Sequence, residues 1–356
     1  MVLYFSVLVI MLLIKKVCEH FNYKTGKIYG LILMGIYGLI SAVRASYVGN
    51  DTRNYLSIFN EVNSGVDTSG WYNRFEAGFV LLNKVCAFFF DNSQCILIIA
   101  AIIIYMGFSL LVVKYSKDYW LSAFLFITLG YFGSTMNAIR LCMAYSIIII
   151  AYDRLVNNNI KAFILLILMA MLFHKTAIVF LICAIVPYLK KLRFSFKIWL
   201  ILTILAYVLT PLIVKLMIKI FPIYEYYVDN YMTNGVSLGI LLYIFVWTMI
   251  LCIGLYIQKK CGKEIDKNIK YLNYLMMLTI SILVLSMHFT LLDRVAQYFG
   301  LFSIIYVPNC INIVENRKMQ YMLKCVVVVC FLVYFVGIQL LRPEWNRIAT
   351  YGVFWM

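Results

Sequence analysis

Charge is scarce in this chain and lopsided in sign: 13% of its 356 residues are charged, with 31 Lys and Arg against 15 Asp and Glu. With 64% apolar residues, a soluble domain has too little polar surface to cover what it would expose. Proline is limited to five residues, and Pro187, Pro211 and Pro222 fall near expected helix ends or kinks. Low-complexity sequence and internal repeats are absent. So are a Walker P-loop, a dinucleotide glycine fingerprint, an H-E-x-x-H helix and a D-x-D nucleotide-sugar motif, which argues against chemistry fed by soluble nucleotides. The ten cysteines lack C-x2-C spacing, and Cys325 and Cys330 are the closest pair, so they read as reduced thiols inside apolar runs. The opening run 2–14 lacks a basic leader and a small-residue cleavage site, which predicts a retained helix.

What the chain has instead is apolar runs approaching the roughly 20 residues that cross a hydrocarbon core. The expected spans are 2–14, 28–43, 94–113, 119–133, 136–152, 160–173, 176–189, 198–218, 237–257, 271–290, 295–314 and 322–341. These twelve predict an all-α, polytopic membrane bundle forming one domain over 1–356. A further apolar run, 77–90, is short and carries Lys84, so it reads as a tilted, re-entrant or interfacial helix.

The formal charge of +16 would suggest nucleic acid in a soluble protein, but here Lys and Arg concentrate in short loops. That is a topology signal. Lys15, Lys16, Lys24 and Lys27 place the first linker in the cytoplasm. If 77–90 does not cross, alternation puts Lys114 and Lys117, Arg154 and Lys161, Lys190 to Lys197, Lys259 to Lys270, and Arg317 with Lys318 on the same side. Both termini and two polar segments, 44–76 and 219–236, then face outward.

In the first outer segment Gly49, Asn50 and Asp51 favour a turn, and Tyr55, Ile58 and Phe59 have the spacing of a helix lying on the membrane surface. Arg44, Asp51, Arg53, Arg74 and Glu76 bring both charge signs there, among the rings of Tyr47, Tyr55, Trp71, Tyr72 and Phe75. Arg140 falls about one turn below the outer end of its span, where an unpaired charge is costly. Asn137, three residues earlier, is expected to share its helix face. His174 lies at an outer turn beside Lys175, whose charge favours a neutral imidazole suited to a general base. Asp293 and Arg294 arrive at the outer connection of the last hairpin, as do His288 and Tyr298.

Each group alone has an ordinary structural reading: an aromatic-belt loop, a snorkelling Arg, an interfacial His, a capping ion pair. Four chain regions converging on one face favour a site. Guanidinium groups form forked bonds to phosphate oxygens, and at headgroup depth they suit a polyprenyl diphosphate sugar.

The ordered motifs V-G-N-D-T-R-N-Y (48–55), E-A-G-F (76–79), M-N-A-I-R-L-C-M-A (136–144), L-F-H-K-T-A (172–177) and D-R-V-A-Q-Y-F (293–299) resemble the EpsG family of Wzy-like polymerases of O-antigen, capsule and exopolysaccharide. The resemblance runs from about residue 44 to 300 and matches Asp51, Tyr55, Glu76, Asn137, Arg140, His174, Lys175, Asp293 and Arg294. It departs at Leu141 and Cys142, where Gln and Gly are expected.

The resemblance implies transfer of a growing glycan from undecaprenyl diphosphate to the next lipid-linked repeat unit, outside the bacterial cytoplasmic membrane. Arg140 and Arg294 would neutralise the leaving diphosphate, and His174, or failing it Asp51 or Glu76, would take the acceptor proton. Arg44, Arg53, Tyr55, Asn137, Lys175 and Asp293 are the further substrate-binding candidates. No cofactor or metal is expected. The expected partners are the lipid-linked oligosaccharide, membrane lipid, a chain-length regulator and a flippase, but no nucleic acid. The leading alternative is that the chain is itself a lipid-linked oligosaccharide flippase, which should carry polar groups through the bilayer depth. A glycan ligase or a sugar O-acetyltransferase is a more distant reading.

Overall fold

A computed structural model of the chain describes residues 2–20, 26–65, 75–189, 195–220, 237–261, 266–342, 345, 348 and 350–355. Apolar runs that leave water must satisfy their backbone groups internally, and helices do so segment by segment. The described residues accordingly fold into helices, with a single isolated β-bridge between Arg44 and Val353.

The first half comprises α1 (Val2–His20), α2 (Gly26–Ala42), α3 (Thr52–Asn63), α4 (Ala77–Phe89), α5 (Gln94–Tyr115), α6 (Tyr119–Thr128), α7 (Tyr131–Asn137), α8 (Ile139–Val156) and α9 (Ile160–Met171). A 3-10 segment, Lys175–Ile185, and one α-turn, Val186–Leu189, follow. The second half comprises α10 (Phe196–Ile220), α11 (Leu238–Cys261), α12 (Lys267–Leu285), α13 (Leu292–Gly300), α14 (Ser303–Asn312) and α15 (Arg317–Leu341).

Among the described residues, five helices are long and apolar enough to cross a membrane: Gln94–Tyr115, Phe196–Leu216, Leu238–Cys261, Lys267–Leu285 and Arg317–Leu341. α10 and α15 present rows of exposed large apolar side chains, among them Ile201, Leu205, Val208, Val326, Val329 and Val333. Surfaces of that kind belong against lipid. The chain is thus a multi-pass membrane protein.

Several expected spans are discontinuous. The run 119–133 breaks at Gly130, whose φ of +86° belongs to the left-handed region, and resumes as α7. Ala138 leaves helical geometry between α7 and α8. The run 295–314 is divided between α13 and α14. The run 176–189 lies mostly in the 3-10 segment, whose eleven residues cover about 22 Å at roughly 2 Å per residue.

Contacts sort the helix termini into two ends. At one end Lys114 pairs with Asp153, Lys324 Nζ lies 2.7 Å from Asp118 Oδ2, and Lys267 Nζ donates to the Val156 carbonyl at 2.7 Å. Lys15 stands over the Trp120 ring at the same end. At the other end Gln94 Nε2 donates to the carbonyls of Ala42 (2.7 Å) and Arg44 (3.2 Å), and Gly78 N donates to Leu172 O (2.8 Å). α4 starts at this second end, beside Leu172, and its buried Cys86 meets Cys95 in the first turn of α5. Both of its ends therefore lie where it began. The C-terminal segment closes over the same end: Ala45 N donates to Gly352 O at 2.8 Å, and Phe354 N to Val43 O at 3.0 Å.

Candidate functional site

The polar end is organised by the turn that leads into α3. Gly49 has φ +88°, and a Cβ there would stand 2.6 Å from Met136 O. Asn50 N donates to Asn137 Oδ1 at 2.5 Å, and Asn50 Nδ2 to Trp345 O at 3.1 Å. Thr52 Oγ1 donates to Val48 O at 2.6 Å. Together with the burial of Thr52, Tyr55, Ile58 and Phe59, these bonds fix the helix and leave Asp51 exposed at its N-terminus, where its side chain makes no capping bond. Gly49→Ala is expected to destabilise the protein by about 1–3 kcal/mol through left-handed strain and the Met136 clash, with loss of activity. Thermal unfolding in detergent checks it, and unchanged stability would contradict the role given to the turn.

Two expectations for this region are corrected. Arg44 is only 1% exposed; its Nη1 donates to Ser41 O at 2.5 Å and its Nε to Thr52 Oγ1 at 3.3 Å. It braces the loop from inside and lines neither of the site's pockets. Asn137 does not share a helix face with Arg140, because the chain breaks at Ala138; it holds the Asn50 turn instead. Arg53 is exposed in a shallow depression with Ser57, Asn60 and Glu61 and also lines neither of the site's two pockets. Trp71, Tyr72, Arg74 and the segment 221–236 lie outside the described residues.

Arg140, in the first turn of α8, forms an ion pair with Glu76, the residue that precedes α4. Its guanidinium also lies 5.2 Å from the Phe75 ring centroid and 5.8 Å from that of Phe79. The second Glu76 oxygen accepts from Lys175 N at 3.3 Å, so the carboxylate ties α4 to the turn carrying His174. The Lys175 side chain itself is exposed.

His174 Nδ1 lies 2.7 Å from Thr176 Oγ1 and 3.1 Å from Tyr298 OH, and the two hydroxyls are 3.1 Å apart. Tyr298 is buried and stands edge-on to Tyr145 at 5.1 Å. Burial lowers the His174 pKa to about 4; Glu76 works against this, while Arg140 and Arg294 reinforce it. Burial and the two arginines, rather than the adjacent Lys175, thus favour the neutral imidazole. In the tautomer that carries its proton on Nδ1, shared with a hydroxyl, the ring would keep an Nε2 lone pair to accept another. Thr176 and Tyr298 complete this triangle; Tyr298, one helical turn after Arg294, was expected on this face but without a role beside His174.

Asp293 and Arg294 lie in the first turn of α13, where both line a cavity of about 500 Å³. Burial raises the Asp293 carboxyl above the usual range, and Arg294 acts in the opposite sense. Arg294 is exposed and has no ion-pair partner among the described residues. Asp51, Asn137 and Gln297 are also at this cavity, which continues between α8, α11 and α12 past Leu141, Trp247 and Leu283. A second pocket, of about 370 Å³, is lined by Arg140, Tyr55 and Phe75 and shares Asp51 with the first. His288 is set apart, stacked on Tyr207 at 4.4 Å. Among the described residues, no group of three or more His, Cys, Asp and Glu is placed to hold a metal ion.

Fold and site define a polytopic membrane protein with adjoining arginine-bearing pockets at one end of its bundle. The chain belongs to the EpsG family, whose model matches residues 27–351, a longer stretch than the motifs span. That is a family of Wzy-like polymerases, and membership points to a polysaccharide-polymerase type of role. Neither a curated protein nor a solved structure matches the chain.

Proposed function

We propose that this protein polymerises lipid-diphosphate-linked glycan repeat units at the outer face of the bacterial cytoplasmic membrane. The observation that carries the reading is that Asp51, Arg140 and Arg294, from separate chain regions, line two pockets joined at Asp51, with Glu76 paired to Arg140 and His174 in the field of Glu76, Arg140 and Arg294. The basic residues Lys114, Lys267 and Lys324 lie at the opposite end, which supports an outward-facing site by the charge rule. Twelve crossings with both termini outside fit this placement.

In the proposed reaction an acceptor hydroxyl attacks the anomeric carbon of the donor. The new C–O bond forms as the bond from that carbon to the diphosphate oxygen breaks, and the electron pair leaves with the diphosphate. His174 Nε2 takes the hydroxyl proton, with Asp51, at the junction of the two pockets, as the alternative base in place of Glu76, which is held by Arg140. Arg294, exposed in the large cavity, meets the diphosphate as its charge grows, the moment at which a fixed cation is most effective. Arg140 serves differently: paired to Glu76 in the adjoining pocket, it adds positive potential and fixes the turn that carries His174. Undecaprenyl diphosphate is the carrier this reading assigns.

Deleting the gene in its native host tests the reading. The expected result is loss of the polymer ladder, with single lipid-linked units still accessible outside the cell and the ladder restored by the wild-type gene. Units trapped on the cytoplasmic face would assign the protein to lipid-linked oligosaccharide transport instead.

A further inference from the structure

The two pockets that share Asp51 differ in chemistry. The larger has a polar mouth at Asp51, Asn137 and Arg294 and an apolar body reaching Trp247. Trp247 is nine residues into α11, about 14 Å along the helix axis. Such a cavity has room for a charged head followed by hydrocarbon.

The smaller pocket is bounded by the outward row of α3. Burial of Tyr55, Ile58 and Phe59 turns that face of the helix inward, which leaves Asn54, Ser57 and Glu61, spaced by three and four residues, on a neighbouring exposed row. Ser57 Oγ donates to Glu61 Oε1 at 3.1 Å and orients that carboxylate. The Phe75 ring and Arg140 complete the pocket, and Asp51 opens it towards the larger cavity. Amide, hydroxyl and carboxylate groups offer both donors and acceptors, matching the rim of a sugar ring, while an aromatic ring suits its apolar face. A volume of about 370 Å³ falls within the range of small-ligand pockets.

We propose that the α3 pocket is a carbohydrate subsite holding the attacking end of the acceptor repeat unit, while the larger cavity receives the lipid-diphosphate donor. The assignment rests on the polymerase reading and adds to it the residues Asn54, Ser57 and Glu61. It gives the two substrates separate entrances that meet at Asp51. The sugar identity at the acceptor end is then selected by α3, whose outward row can change without disturbing its buried row.

The test uses the full-length protein in detergent and the host's repeat-unit oligosaccharide, released from its lipid diphosphate, observed by saturation-transfer NMR. Wild type and Arg294→Ala are expected to bind the free oligosaccharide alike. Ser57→Ala should weaken binding about fivefold, the worth of one neutral hydrogen bond, and Asn54→Ala combined with Glu61→Gln about tenfold or more. All three positions are solvent-facing, and matching melting temperatures will show that the variants are folded. Undiminished binding by the variants, or none by wild type, would overturn the subsite. The polymerase reading fails separately, through a ladder that survives gene deletion.

Discussion

Arg294→Ala is expected to abolish the polymer ladder, lowering the transfer rate by about 10²- to 10³-fold, the usual cost of losing one transition-state charge partner. The protein should still reach the membrane in normal amount. Arg294 is exposed at the cavity, and the neighbouring carboxyl whose ionisation it favours, Asp293, is already raised by burial and can take up a proton when the cation is lost. Arg140→Ala should behave differently, because it leaves Glu76 without its cation and loosens the tie between α4 and the His174 turn. That variant should lose both activity and stability. Arg294→Lys should recover only a small part of the rate if the guanidinium grips a diphosphate in forked fashion. Rates measured on lipid-linked repeat units, normalised to protein in the membrane, separate these cases. Near-wild-type activity in Arg294→Ala would remove it from the site.

His174→Ala is expected to lower the rate by about 10²- to 10⁴-fold, the range for loss of a positioned general base. The acid side of the pH profile carries the sharper signature. In the free protein His174 has its pKa lowered to about 4 by burial, with Arg140 and Arg294 acting in the same sense, so the acid limb of kcat/KM should lie near there. A bound diphosphate brings negative charge to the same cations and should raise that value, placing the acid limb of kcat at higher pH. Coincident limbs would contradict the proximity of base and diphosphate. Stability should follow the same group. Its folded pKa lies below the ordinary value of 6.5, so its contribution is intact above that pH and is lost progressively as pH falls towards about 4.

Much of the site was legible because polar residues interrupt an otherwise apolar chain. Glu76, Arg140, His174 and Arg294 lie at or near the edges of apolar runs and Asp51 in the polar segment 44–76, and the alternation of basic loops is enough to gather them on one side of the membrane. The charge rule reads only signs and lengths, so it gives ends and not contacts. It has no means of telling Arg44 from Arg294. Arg44 is buried because Ser41 and Thr52 bond its guanidinium and the C-terminal residues Gly352 and Val353 close over its backbone, a pairing across some three hundred positions.

Helix continuity was equally hidden. Ala138 is a good helix former by propensity, yet the chain turns there so that Asn137 can meet the Asn50 amide while Arg140 turns to Glu76. Propensity yields to those tertiary bonds. The neutrality of His174 was anticipated from Lys175, but the nearest residue in sequence is not the one that acts: the Lys175 side chain is exposed to solvent, and burial dominates.

The most direct test of the central claim uses purified full-length protein in proteoliposomes, supplied with lipid-linked single repeat units and no nucleotide. The account predicts a ladder of longer glycans with one polyprenyl diphosphate released for each bond formed, and neither product with Arg294→Ala. Repeat units that stay single while moving from one leaflet to the other would contradict it and assign these pockets to transport.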